Sequence, residues 1–162
     1  MQGDIKGGIV NAETKSGNLS LELQGSHSGM NASSTSGNIS AITPASNHSY
    51  GTVGFFNGIS ALNGSASVSN SASLAFTGVT SFNAFQVVSN NSLTVLNSGN
   101  VSIAGSSSAA IRAAGMTGGT VAVTNDGTIT VANAGLRPAG SGGSGIYADS
   151  ITGRATVTNN GT

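Results

Sequence analysis

VAVTNDGTITV, residues 121–131, recurs along this chain in recognisable form. Two earlier copies are ASVSNSASLAF at 66–76 and LTVLNSGNVSI at 93–103, and a shorter copy, ATVTNNGT, occupies 155–162. In each copy apolar residues alternate with small polar ones on both sides of an asparagine-containing turn, which is the period-2 pattern of half-buried β-strands. A repeat of this kind indicates the architecture before any single residue indicates chemistry.

A third apolar position recurs upstream of each turn, at a near-constant distance before the turn asparagine. It is held in chain order by Phe56, Phe85, Ile111 and Ile146. The turn asparagines lie at positions 70, 97, 125 and 159, and two earlier SGN segments, at 16–23 and 36–40, are closer together. Units of roughly 20 to 45 residues, with variable connections between fixed strands, are typical of a solenoid whose loops absorb insertions.

We therefore predict an all-β fold, a right-handed parallel β-helix of about five to six coils with three short strands per coil. Residues 1–162 are expected to form one β-solenoid segment, taken from a longer repeat protein. Its coils are less regular in 1–54 and follow the repeat closely in 55–162.

Stacking in register predicts which side chains face inward and which form the corners. The predicted core consists of Val68, Val95, Val101, Ile103, Ile111, Val121, Val123, Ile129, Val131, Ile146 and Val157. The turn residues Asn70, Asn97, Asn125 and Asn159 are expected to form a ladder of side-chain amides, each bonded to the next. Two residues further on, Gly99, Gly127 and Gly161 are expected to supply a positive φ without a Cβ clash.

An antiparallel arrangement is the alternative fold. Asp126-Gly127 between alternating apolar residues is also a hairpin signal, and a chain of hairpins would give a sandwich or barrel. The third recurring strand argues against it, because a two-strand hairpin does not require an apolar position at a near-fixed distance upstream.

Composition excludes several classes of protein. Aromatic residues make up only 4% of the chain and charged residues 6%, which is too few large side chains for a thick globular core but enough for a thin aliphatic column. The formal net charge is zero, so no basic surface is expected for nucleic acid. With no cysteine, disulfides and thiolate metal sites are excluded. No apolar run approaches the roughly 18 residues of a membrane helix, so direct membrane insertion is not expected either.

The segments AAIRAAGMTGGTVAVTNDGTITV at 109–131 and SGIYADSITGRATVTNNGT at 144–162 resemble the passenger domains of bacterial type V autotransporters. In that family, GIYA-like strands and VTNNGTI-like turns recur along a right-handed parallel β-helix. The resemblance covers most of the chain from about residue 55 and is weaker before it. It implies a bacterial cell-surface or secreted location, with signal peptide and membrane barrel outside this chain, and a role in adhesion, self-association or host interaction. Filamentous haemagglutinin-type exoproteins share the composition.

Catalysis on the same scaffold, as in polysaccharide lyases and glycosidases, is a second functional hypothesis. A glycosidase needs two carboxyl groups about 5 to 9.5 Å apart. The carboxylates here are Asp4, Glu13, Glu22, Asp126 and Asp149. In repeat register Asp126 follows its turn asparagine whereas Asp149 precedes its own by ten residues, so the two are expected at different corners, in solvent. We therefore predict that the chain is not an enzyme.

Metal and cofactor sites receive little support from the sequence. The two histidines, His27 and His48, have no second ligand at a metal spacing. The glycine-rich stretch at 139–145 lacks the lysine of a phosphate loop and precedes a strand rather than a helix. No cofactor is predicted.

Two departures from the repeat are candidate recognition loops, because loops that leave a rigid scaffold often carry binding residues. The first spans 132–145 and contains Leu136 and Arg137. The second spans 43–54. Simple length drift between coils is the alternative interpretation of both.

The remaining candidate partner-binding residues are two in the second loop, His48 and Tyr50, and two in the regular repeats. Arg112 and Tyr147 follow the equivalent residues Ile111 and Ile146, so they are expected to point outward from one strip of the surface. We hypothesise that they form part of a contact surface.

The leading functional hypothesis is a rigid stalk and adhesin whose partner is a host-surface protein, a matrix protein or a second copy. An ice-binding solenoid is a third hypothesis, and it would require a regular array of threonines. Thr128 and Thr130 fit such an array, but Asn100 and Ser102 occupy the equivalent positions one repeat earlier.

Overall fold

The computed structural model describes residues 2–4, 9–24, 29–50, 55–132 and 144–162. Fifteen strands lie within these ranges, and none of the helices that a membrane span would require is found there. The strands are β1 (Gln2–Asp4), β2 (Ile9–Ser16), β3 (Leu19–Gln24), β4 (Gly29–Ser36), β5 (Ile39–Thr43), β6 (Asn47–Tyr50), β7 (Phe55–Ala61), β8 (Ala66–Asn70), β9 (Ser73–Ser89), β10 (Leu93–Asn97), β11 (Val101–Gly115), β12 (Val121–Asn125), β13 (Ile129–Ala132), β14 (Ser144–Ser150) and β15 (Ala155–Asn159).

The strands form two sheets in which sequence neighbours stack above one another. The first sheet has the order β1-β3-β5-β8-β10-β12-β15, and the second has the order β13-β11-β9-β7-β4-β2, with β14 beside β11 and β6 beside β9. Every strand pairing among the described residues is parallel, so the antiparallel alternative is wrong and the parallel β-solenoid is confirmed. The right-handed winding and the number of coils stay predictions.

The second sheet consists of two strips joined by the long strands β9 and β11. Strip B pairs the first part of these strands with β6 and β13, as in Val101 opposite Leu74 and Ile129. Strip C pairs their second part with β7 and β14, and continues to β4 and β2. The register shifts between residues 104 and 109 of β11 mark the junction of the two strips. Each repeat from β5 to β14 thus supplies three paired segments, one in the first sheet and one in each strip.

The coils before β6 are smaller. Leu19 pairs directly with Ile39, and Ile9 with Gly29, so the unit there is shorter than the later repeats and has one strand in each sheet among the residues that the structure describes. Strip B begins at β6, which explains why the following units are longer. The sequence prediction of less regular coils in 1–54 reflects this change of coil size.

The register in strip C differs by one residue from the sequence alignment. Phe85 pairs with Asn57, not with Phe56. Two residues further on, Ile59 lies opposite Val87, and both side chains are buried. Burial of these aliphatic side chains determines the register, because a slip of one residue would turn each of them toward solvent.

The core is a column of like residues stacked on like. Val68, Val95 and Val123 lie opposite one another in adjacent strands and are at most 1% exposed. The other predicted core residues that are fully buried are Val101, Ile103, Ile111 and Val121, while Ile129, Val131 and Ile146 are partly buried and pack against the core. A thin column of this kind needs few aromatic side chains, as the composition indicated.

Val157 is the exception among the predicted core residues. It continues the valine column opposite Val123, yet its side chain is 48% exposed. β15 has a neighbouring strand, β12, on one side only within the described sheet, so half of the covering surface is missing. The prediction that Val157 is buried was therefore wrong for this chain.

The predicted asparagine ladder is confirmed. Asn70 Nδ2 donates to Asn97 Oδ1 at 2.7 Å, Asn97 Nδ2 to Asn125 Oδ1 at 2.6 Å, and Asn125 Nδ2 to Asn159 Oδ1 at 2.7 Å. Each Nδ2 also donates to the carbonyl two residues further on, for example Gly127 O at 2.7 Å. The three inner asparagines are at most 1% exposed, so their amides depend on these internal partners.

The glycines beside this ladder are needed for a different reason than predicted. Positive φ angles occur at Gly17, Gly29, Gly37 and Gly118 among the described residues, and not at Gly99, Gly127 or Gly161. A Cβ on Gly127 would instead lie 2.0 Å from Gly99 O, and one on Gly99 would lie 1.9 Å from Ala72 O. Glycine is required because successive corners approach too closely for a side chain.

Candidate binding surface

Strip C presents a regular outer surface, because alternate residues of each strand point away from the core. The strand register aligns one outward residue of every strand in a single line, which we call the amide column. From one edge to the other it contains Asn11, Asn31, Gly58, Gln86, Arg112 and Tyr147. A second line beside it contains Glu13, Ser33, Ser60, Val88, Ala114 and Asp149.

Arg112 and Tyr147 occupy one end of the amide column. They lie directly opposite each other in β11 and β14, and both side chains are exposed, which confirms their predicted equivalent outward positions. The Arg112 guanidinium carbon lies 6.0 Å from the centroid of the Tyr147 ring. A cation–π contact at an exposed site contributes about 0.5 to 1 kcal/mol, so the pair presents a partly ordered cationic and aromatic surface.

The loop residues behave differently from this pair. His48 and Tyr50 lie in β6, opposite Leu74 and Phe76, so the expectation that they belong to a loop was wrong. The sequence pattern does not indicate this strand, because the described residues of the shorter coils before β6 contain no equivalent of it. Their side chains, and the predicted residues Leu136 and Arg137, lie outside what the structure describes.

The carboxylates are dispersed. Glu13, Asp126 and Asp149 are exposed, as expected of solvated residues. Asp126 follows β12 and accepts a hydrogen bond at 2.8 Å from Asn160 Nδ2, whereas Asp149 lies in β14. Glu13 and Asp149 share the second line of strip C but are separated by five strand spacings, about 24 Å. That separation exceeds the distance over which a carboxylate pair hydrolyses a glycosidic bond.

No group of three metal-ligating side chains occurs among the residues that the structure describes. His27 lies outside those residues.

The amide column extends well beyond the two residues predicted from the sequence. Asn11 and Asn31 lie in it, and Asn31 Nδ2 donates to Asn11 Oδ1 at 3.1 Å. A sequence signal for this pair existed, since VNAETKSGN at 10–18 and MNASSTSGN at 30–38 align with the asparagines in register. Gln86 had no such signal, because the coils differ in length between Asn31 and Gln86.

In comparisons with known proteins, no family description, curated protein or solved structure matches this chain. The fold and the outer surface of strip C are therefore the basis for inferring a function.

Proposed function

We propose that the chain is a segment of a bacterial cell-surface or secreted passenger that acts as a rigid stalk and adhesin. Its partner is a host-surface protein, a matrix protein or a second copy of the passenger. The resemblance of 109–131 and 144–162 to autotransporter passengers is the reason for proposing a bacterial surface location. Catalysis has no part in the proposed function.

The asparagine ladder is the observation that carries the proposal. Each coil is joined to the next by parallel backbone pairing, and the four repeats that contain Asn70, Asn97, Asn125 and Asn159 are also joined by side-chain hydrogen bonds of 2.6 to 2.7 Å. Because every coil buries its faces against its neighbours, further coils of equal size lengthen the structure without changing its cross-section. Such a stack suits a stalk that holds outward residues, among them Arg112 and Tyr147, at fixed spacings.

Adhesion of beads tests this function. Beads coated with the purified chain are incubated with cultured epithelial cells and with surfaces coated with fibronectin, collagen or laminin, and retained beads are counted. We expect the chain to raise retention over beads coated with albumin. Retention equal to that of the albumin beads on every surface would contradict the proposed function.

A double variant tests the contribution of the exposed pair. Arg112→Ala with Tyr147→Ala removes the cationic and aromatic surface of strip C and is expected to lower retention about tenfold, equivalent to ~1.4 kcal/mol. Ser102→Ala with Thr130→Ala is the matched control, because these residues are also exposed and lie opposite each other, but in strip B. Equal retention by both double variants would exclude Arg112 and Tyr147 from the contact surface.

A further inference from the structure

A groove crosses the outer surface of strip C at β2, β4, β7 and β9. It is a shallow depression of about 640 Å³ that is widely open to solvent. Its outward lining residues are Asn11, Asn31, Gly58 and Gln86 of the amide column and their four neighbours in the second line. The first and last of these strands are separated by three strand spacings, about 14 Å.

The register explains why a depression forms here. In the amide column, Gly58 has no side chain between Asn31 and Gln86, which leaves a gap of one strand. In the second line the small residues Ser33 and Ser60 lie side by side in adjacent strands. Longer side chains, such as Glu13 on β2 and Gln86 on β9, form the two sides of the depression. The groove therefore results from small residues at the central outward positions and longer side chains on either side of them.

The groove has polar groups free to bind a ligand. Buried Asn83 donates from Nδ2 to Gln86 Oε1 at 3.3 Å, which restricts the Gln86 side chain and leaves its Nε2 without a partner among the described residues. Asn31 uses its Nδ2 on Asn11 Oδ1, which leaves Asn31 Oδ1 similarly available. A donor and an acceptor are thus held on either side of Gly58. Holding such groups before the ligand arrives lowers the entropy cost of binding.

The chemistry of the lining selects the ligand class. Amides and hydroxyls both donate and accept, as do the hydroxyls of a sugar. Glu13, the one charged residue among the described lining residues, is an acceptor that repels anions. Among the outward lining residues of the groove, Val88 is the one large apolar side chain, so the side-chain groups that face a ligand are mainly polar. An uncharged polyhydroxylated ligand satisfies these groups best.

We propose that this groove binds a neutral linear oligosaccharide, lying across β2, β4, β7 and β9. Its length and open side fit several sugar units of a chain rather than a single enclosed sugar. The inference rests on the proposed adhesive function for its biological role, since the glycan would be the ligand that the stalk displays. Binding itself is measurable without cells.

The first experiment exposes the labelled chain to an array of immobilised neutral and sulfated glycans, and the strongest neutral oligosaccharide is then titrated calorimetrically. We expect saturable binding of at least one neutral oligosaccharide. Binding of no glycan, or of sulfated glycans alone, would overturn the proposal.

Gly58→Gln tests the location of the site. The added side chain fills the gap in the amide column, and a glycine in the interior of a strand is replaced, so the fold is expected to remain as stable or become more stable. We expect affinity for the neutral oligosaccharide to fall about tenfold or more, equivalent to ~1.4 kcal/mol. Ala122→Gln is the matched control, because it adds the same side chain at an exposed position of the first sheet and is expected to leave affinity unchanged. Unchanged affinity in Gly58→Gln, or an equal loss in Ala122→Gln, would overturn the proposal.

The two proposals fail in different ways. If the beads adhere but no glycan binds, the proposed adhesive function is supported and the proposed oligosaccharide site is overturned. If a neutral oligosaccharide binds the chain, Gly58→Gln abolishes that binding and beads fail to adhere, the oligosaccharide site is supported and the adhesive function is overturned.

Discussion

At the scale of single residues, Asn97 is the central rung of the buried ladder. It donates to Asn125 Oδ1 at 2.6 Å and to Gly99 O at 2.8 Å, and it accepts from Asn70 Nδ2 at 2.7 Å. Asn97→Ala removes these three hydrogen bonds from a buried site, although Asn70 Nδ2 keeps its bond to Ala72 O at 2.9 Å. Each buried group left unsatisfied costs about 1 to 3 kcal/mol. We expect the free energy of unfolding to fall by about 3 kcal/mol, measured by denaturation in urea.

The control for Asn97 is Asn100, three residues further along the same turn. Asn100 is exposed, and its Oδ1 accepts one hydrogen bond, from Thr128 N at 3.0 Å. Water can replace that bond, so Asn100→Ala is expected to cost less than about 1 kcal/mol. Similar losses in both variants would contradict the structural role given to the ladder.

Gly127 shows the second constraint at the residue scale, the close approach of successive corners. A Cβ there would lie 2.0 Å from Gly99 O and 2.7 Å from Gly99 C, which are backbone atoms that cannot move aside without displacing a coil. We expect Gly127→Ala to reduce the free energy of unfolding by about 3 kcal/mol, in the upper range for overpacking. Urea denaturation monitored by far-ultraviolet circular dichroism measures this loss.

Gly145→Ala is the matched control for Gly127→Ala. The nearest heavy atom to its added Cβ is Ile129 Cγ2 at 3.5 Å, an ordinary van der Waals contact. Since Gly145 lies in β14 and has no positive φ, alanine is expected to be neutral or mildly stabilising. If Gly127→Ala were tolerated as well as Gly145→Ala, the close-approach argument would fail.

At the scale of strands, β12 and β15 each have a valine at the same register position, but the two valines differ in how deeply they are buried. Val123 is 1% exposed and Val157 48%. We expect Val123→Ala to lower the free energy of unfolding by about 2 to 3 kcal/mol and Val157→Ala by less than about 1 kcal/mol. Urea denaturation of both variants tests this, and equal losses would mean that β15 is covered in solution.

Strands also show what could be predicted from the sequence and what could not. The parallel stacking of β8, β10 and β12, the valine column and the asparagine ladder followed from repeats of nearly equal length, because equal spacing leaves one register. The sequence predicts a loop where β6 lies, because β6 begins a strip that has no strand in the described part of the shorter coils before it.

The candidate site was harder to predict than the fold. Arg112 and Tyr147 lie within regular repeats, so their pairing could be inferred from the alignment. The groove depends on Gly58 lying opposite both Asn31 and Gln86, across coils of different length. The register there is determined by inward residues such as Ile59, and no single repeat contains that information.

At the scale of the whole molecule, the two ends of the first sheet are complementary. β1 and β15 are its edge strands, and all strands between them run parallel, so β15 of one copy can pair with β1 of the next in the same direction. Val157 and Ile151, 48% and 65% exposed, would gain cover on association. We expect a repeated head-to-tail contact of this kind to build open filaments, because β1 and β15 lie at opposite edges of the sheet.

We therefore expect the weight-average mass of this chain to rise with concentration in sedimentation experiments. Val157→Lys places a charge at the exposed edge and is expected to raise the concentration needed for association about tenfold, since edge lysines oppose strand pairing. Ser102→Lys adds the same charge to an exposed position in strip B, away from the ends of the first sheet, and is expected to leave association unchanged. A mass that stays monomeric at all concentrations would show that the exposed edge does not recruit a second copy. If the two lysine variants inhibited association equally, the effect would be due to net charge. An end-to-end contact would be inhibited more strongly by Val157→Lys, because only that position lies at an edge of the first sheet.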